Sequence, residues 1–332
     1  MKTYAGSDIE VAVLTRDRTR LLKEALDSLA AQTVKGLKIT VYDNAGSEDS
    51  GAVVSALRAE NPSLDISHFR HEKNVGFDGN FKNALDCASR DFIILAHDDD
   101  IFHPRYVEYV LKAANRFGNV ALVNSRCIHE TPANPEEWRK KIPSTDAFLF
   151  ETYRDLSAYY AAGGQAIFAS AAYRTEYIRR ELRPNLCGKI GDTNFLVDCA
   201  RGGKAVVFLD GDLFFSRVHP GQDSCNLSNG PYENEILALH NYFKEILTTS
   251  PKLYHRFVFQ TRYAERFLKF LKFSGMKKRD ALKILGSLNA KGVDGIFFRL
   301  YATPVVGGFV RFALRLLNQE KKLHWPLFKI RV

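Results

Sequence analysis

The feature that most constrains the fold is an alternation of apolar runs and helical periodicity through the first 125 residues. "IEVAVLT" (Ile9–Thr15) is a near-continuous apolar run of strand length, which predicts a strand buried on both faces. In "RTRLLKEALDSLAAQ", which follows, Leu21, Leu22, Ala25, Leu26 and Leu29 are spaced to share one face of a helix. The pattern then repeats. "LKITVYD", "LDISHFR", "DFIILAH" and "NVALVNS" predict four more strands, and "NFKNALDCAS" and "HPRYVEYVLKAANRFG" predict helices, the latter with Pro104 near its first turn. "NAGSEDS" is a turn cluster suited to cap a helix. Strands separated by helices need crossover connections, so the pattern predicts an α/β fold with a mainly parallel sheet flanked by helices. Sheets of this kind bind ligands beyond the carboxyl ends of their strands. Thr15, Arg16, Asp43 and Asp98–Asp100 all fall at such ends, on one predicted rim.

The remainder is less regular. Periodicity weakens from Ile128 to Ala161, where "TPANPEEW" and "KKIPSTD" read as loops. "GGQAIFAS" predicts a short strand, "AAYRTEYIRREL" a helix, "IGDTNFLVDCARGG" a loop and a helix ended by Gly202, and "KAVVFLDGDLFFSRVH" two short strands. Beyond Gly230 the chain reads as almost wholly helical to its end. No apolar run approaches the ~18 residues of a spanning helix, and "MKTYAGSDIEVAVLTRDR" contains no apolar signal core. The five cysteines are scattered without CxxC spacing, which predicts reduced thiols, a cytoplasmic setting and no zinc site.

"FIILAHDDDIFHP" sets a buried strand directly against Asp98, Asp99 and Asp100. Adjacent carboxylates repel, so the cluster belongs either in a solvated turn at a helix start or around a bound cation. A hard dication takes one or two carboxylates together with substrate phosphates. In "VYDNAGSEDS", Asp43 at a strand end is placed either to accept hydrogen bonds from a base or ribose, or to organise its own turn. "HEKNVGFDGNFKNAL" contains Gly76 and Gly79, which allow close backbone approach, and the amides Asn74 and Asn80; it matches neither a dinucleotide fingerprint nor a P-loop.

Together and in this order, "VLTRDRTRLLKEALDSLAAQT", "VYDNAGSED", "EKNVGFDGNFKNAL" and "ILAHDDDIFHP" resemble family 2 glycosyltransferases. The resemblance is strong from about Ile9 to Val123 and weaker through "GGQAIFASAAYR", "IGDTNFLVD" and "FFSRVHPGQDS". It implies a GT-A fold, Rossmann-like, and inverting sugar transfer from a nucleotide-diphospho-sugar, a UDP-sugar first among donors, with Mn2+ or Mg2+ as cofactor. It further implies that Thr15, Arg16 and Arg18 line the nucleotide pocket, that Asp43 contacts the base and that Asn74 lies near the nucleoside. Aligned back from Pro104, the family's DxD pattern falls on His97, Asp98 and Asp99. Histidine therefore replaces the first acid, leaving Asp98 for the ribose and Asp99, with Asp100, for the metal. The acceptor-activating base falls on Asp192, where Gly191 replaces the family's preceding Glu. In "RVHPGQDS", Arg217 is implied as a phosphate partner and His219 as a further metal ligand. From the residues alone, a helix cap is the alternative role for Asp192, and the two are compatible.

The net charge of +9 is uneven. From Pro251 to Val332 there are 18 Lys+Arg against 4 Asp+Glu, whereas Met1 to Ser250 carries 29 against 34. The tail interleaves these cations with Phe, Leu, Tyr and Trp, as at Arg311 and Arg315. That composition suits a helix on an anionic membrane surface, or a helical bundle with a solvated basic face that packs on the catalytic domain or joins copies of the chain. No nucleic-acid recognition motif accompanies it. The predicted organisation is a catalytic domain over 1–230, divided near 125 into nucleotide-sugar and acceptor halves, and a basic helical region over 231–332. The expected partners are the donor, a glycan or lipid-linked glycan acceptor of surface polysaccharide assembly, and the inner face of the cytoplasmic membrane. The rival readings are a non-catalytic scaffold on the same fold, or a nucleotidyltransferase; the latter wants a Gly-rich phosphate loop where "TRDRTR" has no glycine.

Overall fold

The computed structural model describes residues 2–128, 135–164, 167–181, 192–209, 211–217, 233–259, 277, 279–280 and 329–332. The first apolar run forms β1 (Ile9–Thr15), buried along its whole length. Glu10 within it is tolerated because Lys38 Nζ donates to its carboxylate at 2.9 Å and the Ser89 backbone N–H at 2.8 Å. β1 pairs in parallel with β2 (Lys38–Asp43) and β4 (Phe92–His97), and β3 (Asp65–Arg70) lies outside β2. The intervening helices are α1 (Thr19–Ala30), α2 (Ser50–Glu60) and α3 (Gly76–Cys87). Asp49 caps α2 by accepting from Ala52 N at 2.9 Å, as its turn cluster predicted. α4 (Tyr106–Phe117) follows and ends at Gly118, whose φ of 70° a side chain would disfavour.

Alternation along β1 divides the core between the two faces of the sheet. Val11 and Val13 point into one cluster with Leu22, Leu26, Val54 and Val110 of the helices on that side. Ala12 and Leu14 point into the other with Phe81, Leu156, Val197 and Phe243. A mainly parallel sheet covered on both faces is the expected α/β fold.

After β4 the chain enters a short β5 (Asp100–Phe102) and, past α4, β6 (Val120–Ser125). The weakly patterned stretch contains α5 (Pro135–Lys140), β7 (Asp146–Phe150) and α6 (Tyr153–Ala161). Next come β8 (Ala171–Arg174), α7 (Thr175–Glu181), α8 (Asp192–Cys199), β9 (Lys204–Phe208) and β10 (Phe214–Ser216). The chain continues through α9 (Glu233–Thr248) and α10 (Leu253–Val258) to β11 (Lys329–Arg331). Among the described residues the main sheet has the order β11-β7-β9-β6-β8-β4-β1-β2-β3, and only β7 and β8 run against the rest.

Two predicted boundaries are corrected. Phe168–Ser170 forms a single 3-10 turn rather than strand, and the strand is Ala171–Arg174, inside the expected helix. Its small residues Ala171 and Ala172 let it pair antiparallel with β4 and β6 at once. Within the region expected to be mostly helical, the short β11 adds antiparallel to β7. The predicted tail helix around Arg311 and Arg315 lies outside the described residues.

The described part of the C-terminal region packs on the second apolar cluster through Leu239, Tyr242, Phe243, Ile246 and Val258. A buried clasp holds it there. Asp155 of α6 accepts from Thr152 Oγ1 at 2.7 Å, Lys252 Nζ at 2.7 Å and His255 Nε2 at 3.0 Å. The other ring nitrogen of His255 meets Ser250 Oγ at 2.7 Å. Asp155, His255 and Ser250 are all buried, so the trio locks α10 against α6. No helix among the described residues is long and apolar enough to cross a membrane.

Candidate active site

The sheet register places the predicted strand ends side by side: Thr15 lies opposite Asp43, and Leu14 opposite His97. The loop leaving β1 is stitched to the loop leaving β2. Asp17, in the left-handed region at φ 54°, accepts from the backbone N–H and hydroxyl of Ser47, and Glu48 accepts from Thr19 N at 2.7 Å at the start of α1. Gly46 is required at this crossing, because a Cβ there would stand 2.8 Å from Asp17 N. The stitching fixes Arg18 over the end of β4.

Asp98 is fully buried beneath that arginine. Arg18 grips it with NH2 at 2.9 Å from Oδ1 and Nε at 3.1 Å from Oδ2, and Thr15 Oγ1 donates to Oδ2 at 2.7 Å. Burial pushes the Asp98 carboxyl up to about 6, against the opposing pull of Arg18, of Thr15 and of the Arg16 backbone N–H. The exposed Arg16 side chain reaches Asp17 at 3.5 Å. Arg18 NH1 also lies 3.5 Å from Asp99 Oδ2. Asp100 begins β5 and is held by antiparallel pairing with Ser216 of β10. Burial, then the neighbouring Asp99 charge, push the Asp100 carboxyl well above the usual carboxylate range.

The same β5–β10 ribbon delivers Arg217, one residue past Ser216. Its Nε donates to the Asp99 carbonyl at 2.9 Å and its NH1 pairs with Glu24 of α1. Two arginines thus flank the three acids, one on their side chains and one on their backbone. One ligand atom from each of His97, Asp99 and Asp100 lies within 4.8 Å of the other two. Asp100 Oδ2 is buried without a hydrogen-bond partner among the described residues. An orphaned buried carboxylate oxygen is costly unless a cation or proton compensates it, so the donor set fits a divalent ion.

Asp43 is buried and occupied by its own turn, accepting from Gly46 N at 2.9 Å and Ser50 Oγ at 2.6 Å, with Arg70 NH1 at 3.8 Å. Asn74 accepts from Gly76 N at 2.9 Å, closing the turn in which Gly76 takes φ 75°. Sequence reasoning missed Asn44, which clamps this loop by accepting from Val75 N at 2.8 Å and donating to Gly76 O at 3.1 Å. It also missed Arg70, whose NH2 donates to Gly46 O. Asn44 carries a signal, being the amide next to a strand-end acid; Arg70 carries none.

Asp192 opens α8. One turn on, Phe195 packs on Phe81 and Phe168, and Phe168 lies 6.1 Å from the His97 ring. The start of α8 therefore shares an aromatic wall with the acidic rim. Asp192 meets solvent, while the protein around its carboxyl pushes it up to about 6. Solvent at this exposed side chain limits the size of the effect. Gly191 and His219 lie outside the described residues.

The pattern of Glycosyl transferase family 2 matches residues 10–182, more than half of the chain. The chain belongs to that family. Among curated relatives it is 32% identical over 127 residues to a Campylobacter jejuni GalNAc(5)-diNAcBac-PP-undecaprenol beta-1,3-glucosyltransferase, covering 38% of this chain and 40% of that one. It is 28% identical over 142 residues to an Escherichia coli UDP-Gal:alpha-D-GlcNAc-diphosphoundecaprenol beta-1,3-galactosyltransferase, covering 42% of this chain and 50% of that one. The chain thus spans half or less of these relatives' length. Among solved structures, S. aureus TarS 1-349 in complex with UDP superposes with a TM-score of 0.60 at 14% identity, covering 96% of this chain and 89% of that one. The mannosyltransferase PcManGT of Pyrobaculum calidifontis, in complex with GDP-Man and Mn2+, superposes at 0.53 and 16% identity, covering 96% and 89%. These likenesses establish the GT-A fold of a Glycosyl transferase family 2 member.

Proposed function

We propose that this family 2 glycosyltransferase is dication-dependent and inverting, and moves a sugar from a UDP-sugar to a glycan or lipid-linked glycan acceptor in surface polysaccharide assembly. The observation that carries the reading is the junction of Asp98–Asp100 with Arg18 and Arg217 at the carboxyl rim of the parallel strands. The undecaprenol-diphosphate acceptors named for the two curated relatives support the acceptor class. The UDP-bound and Mn2+-bound neighbours support a UDP-sugar and a dication.

Each residue then has a task. Asp99 and Asp100 hold Mn2+ or Mg2+, with His219 as a further candidate, and the ion supplies charge neutralisation for the departing diphosphate. Arg217 and Arg18 add donors around the same charge. Thr15, Arg16 and Arg18 form the nucleotide side of the pocket, with Asp98 toward the ribose, Asp43 toward the base and Asn74 near the nucleoside. Asp192 takes the acceptor hydroxyl's proton as the oxygen attacks the anomeric carbon from the face opposite the diphosphate; its raised pKa keeps it a competent base above about pH 6. The basic C-terminal region holds the enzyme at an anionic membrane surface, where lipid-linked acceptors reside.

A thermal-shift screen of nucleoside diphosphates, with and without Mn2+, tests the reading. Ligand at 100 times its Kd adds about 2.7 kcal/mol of stability, so UDP with Mn2+ should raise Tm by several degrees. No shift with any nucleoside diphosphate, with or without metal, rejects donor binding.

A further inference from the structure

We propose that His97 is a direct ligand of the dication, making this a mixed imidazole–carboxylate site that prefers later first-row cations such as Co2+ to Mg2+. The inference rests on the dication-dependent reading above and deepens it. His97 closes β4, and the strand's pairing to β1 fixes its backbone. Its ring is bounded by Phe77 at 6.0 Å, edge to face, and by Phe168 at 6.1 Å. Its Nδ1 faces Asp100 Oδ2 at 3.6 Å.

That Asp100 oxygen is the buried atom left without a hydrogen-bond partner, and with Asp99 the three residues keep their ligand atoms within 4.8 Å. Ligands at about 2.0–2.3 Å from one ion stand up to about 4.5 Å apart across it, so shifts of a few tenths of an ångström close the set. Asp98 is not available in the same way, because Thr15 and Arg18 hydrogen-bond its Oδ2 and Arg18 NH2 lies 2.9 Å from Oδ1, which otherwise has no hydrogen-bond partner among the described residues. The strand end therefore offers an imidazole and two carboxylates. Imidazole favours later first-row ions and carboxylate-only sites suit Mg2+, so the histidine should set the metal preference.

Calorimetric titration of the full chain with MnCl2, CoCl2 and MgCl2, each with and without UDP, tests this without relying on transfer activity. The expected order is Co2+ over Mn2+ over Mg2+, with Co2+ at least about 30-fold tighter than Mg2+. His97→Asp should narrow that ratio by about tenfold while retaining a dication site. His97 is a third exposed in its side chain, so this variant should fold, and circular dichroism checks it. Pulsed EPR of the Mn2+ complex should show nitrogen modulation from a bound imidazole, and His97→Asp should diminish it. Absence of nitrogen modulation in the wild type, undiminished modulation in the folded variant, or an unchanged Co2+-to-Mg2+ affinity ratio in that variant overturns His97 as a ligand. With UDP still binding in a metal-dependent way, the donor reading survives that result; with no dication bound in either protein, both fall.

Discussion

Asp155→Asn tests how the C-terminal region is joined to α6. The carboxylate is fully buried, and burial alone would raise its pKa. Hydrogen bonds from His255, Lys252 and Thr152 outweigh that burial and hold it at about 2, against an ordinary 3.8. A displacement of nearly two units corresponds to about 2.5 kcal/mol favouring the ionised form in the folded state. An exposed pair such as Lys23–Asp27 on α1 contributes about 0.3–0.5 kcal/mol, so the buried clasp should dominate. Because the folded pKa is depressed, this stability is present above about pH 4 and lost as pH falls through about 2. Asparagine preserves the size and removes the charge. Urea unfolding followed by far-UV circular dichroism should therefore show the variant about 2–3 kcal/mol less stable at pH 7. The deficit should shrink steadily below pH 4. A deficit under about 0.5 kcal/mol at pH 7, the size of a surface pair, or one that stays constant down to pH 3, would refute the reasoning.

Three further outcomes are expected. Asp192→Asn should bind UDP as the wild type does and lose about 10²–10⁴-fold in kcat, the usual range for a positioned base; near-normal turnover removes Asp192 from that role. The wild-type rate should fall about tenfold per pH unit below about 6, because the base must be deprotonated, and the residual rate of Asp192→Asn should lack that limb. Gly46→Ala forces a Cβ against Asp17 N and should cost about 1–3 kcal/mol, while raising the KM for donor by displacing Arg18; unchanged stability and KM would show the loop crossing to be slack. Full-length chain should float with anionic liposomes at low salt and be released by high salt, with Arg311→Glu and Arg315→Glu together weakening flotation; equal flotation with neutral liposomes contradicts the membrane assignment.

The first half of the fold was legible because its signals are local. β1 and β4 are apolar runs buried on both faces, and α1 carries an apolar stripe that needs no knowledge of its partner. The second half was not, because its elements are defined by distant contacts. β7 is held by Phe148 and Phe150 packing on Tyr159 of α6. β8 is four residues whose strand identity comes from β4 and β6, and β11 pairs with a strand nearly two hundred residues earlier. The site divides the same way. The acids and the histidine among them stand out in "AHDDD", whereas the grip of Arg18 on Asp98 and the support of the Asp99 carbonyl by Arg217 depend on loop crossings and a strand ribbon with no local signature.

The most direct test of the whole account is an anomalous-scattering crystal structure of the protein with Mn2+ and UDP. The expected result is a manganese peak about 2.0–2.4 Å from the Asp99 and Asp100 carboxylates and from oxygens of the diphosphate, with Arg18 and Arg217 beside it. A nucleotide bound elsewhere, or these side chains turned to water with no ion between them and the diphosphate, would contradict it.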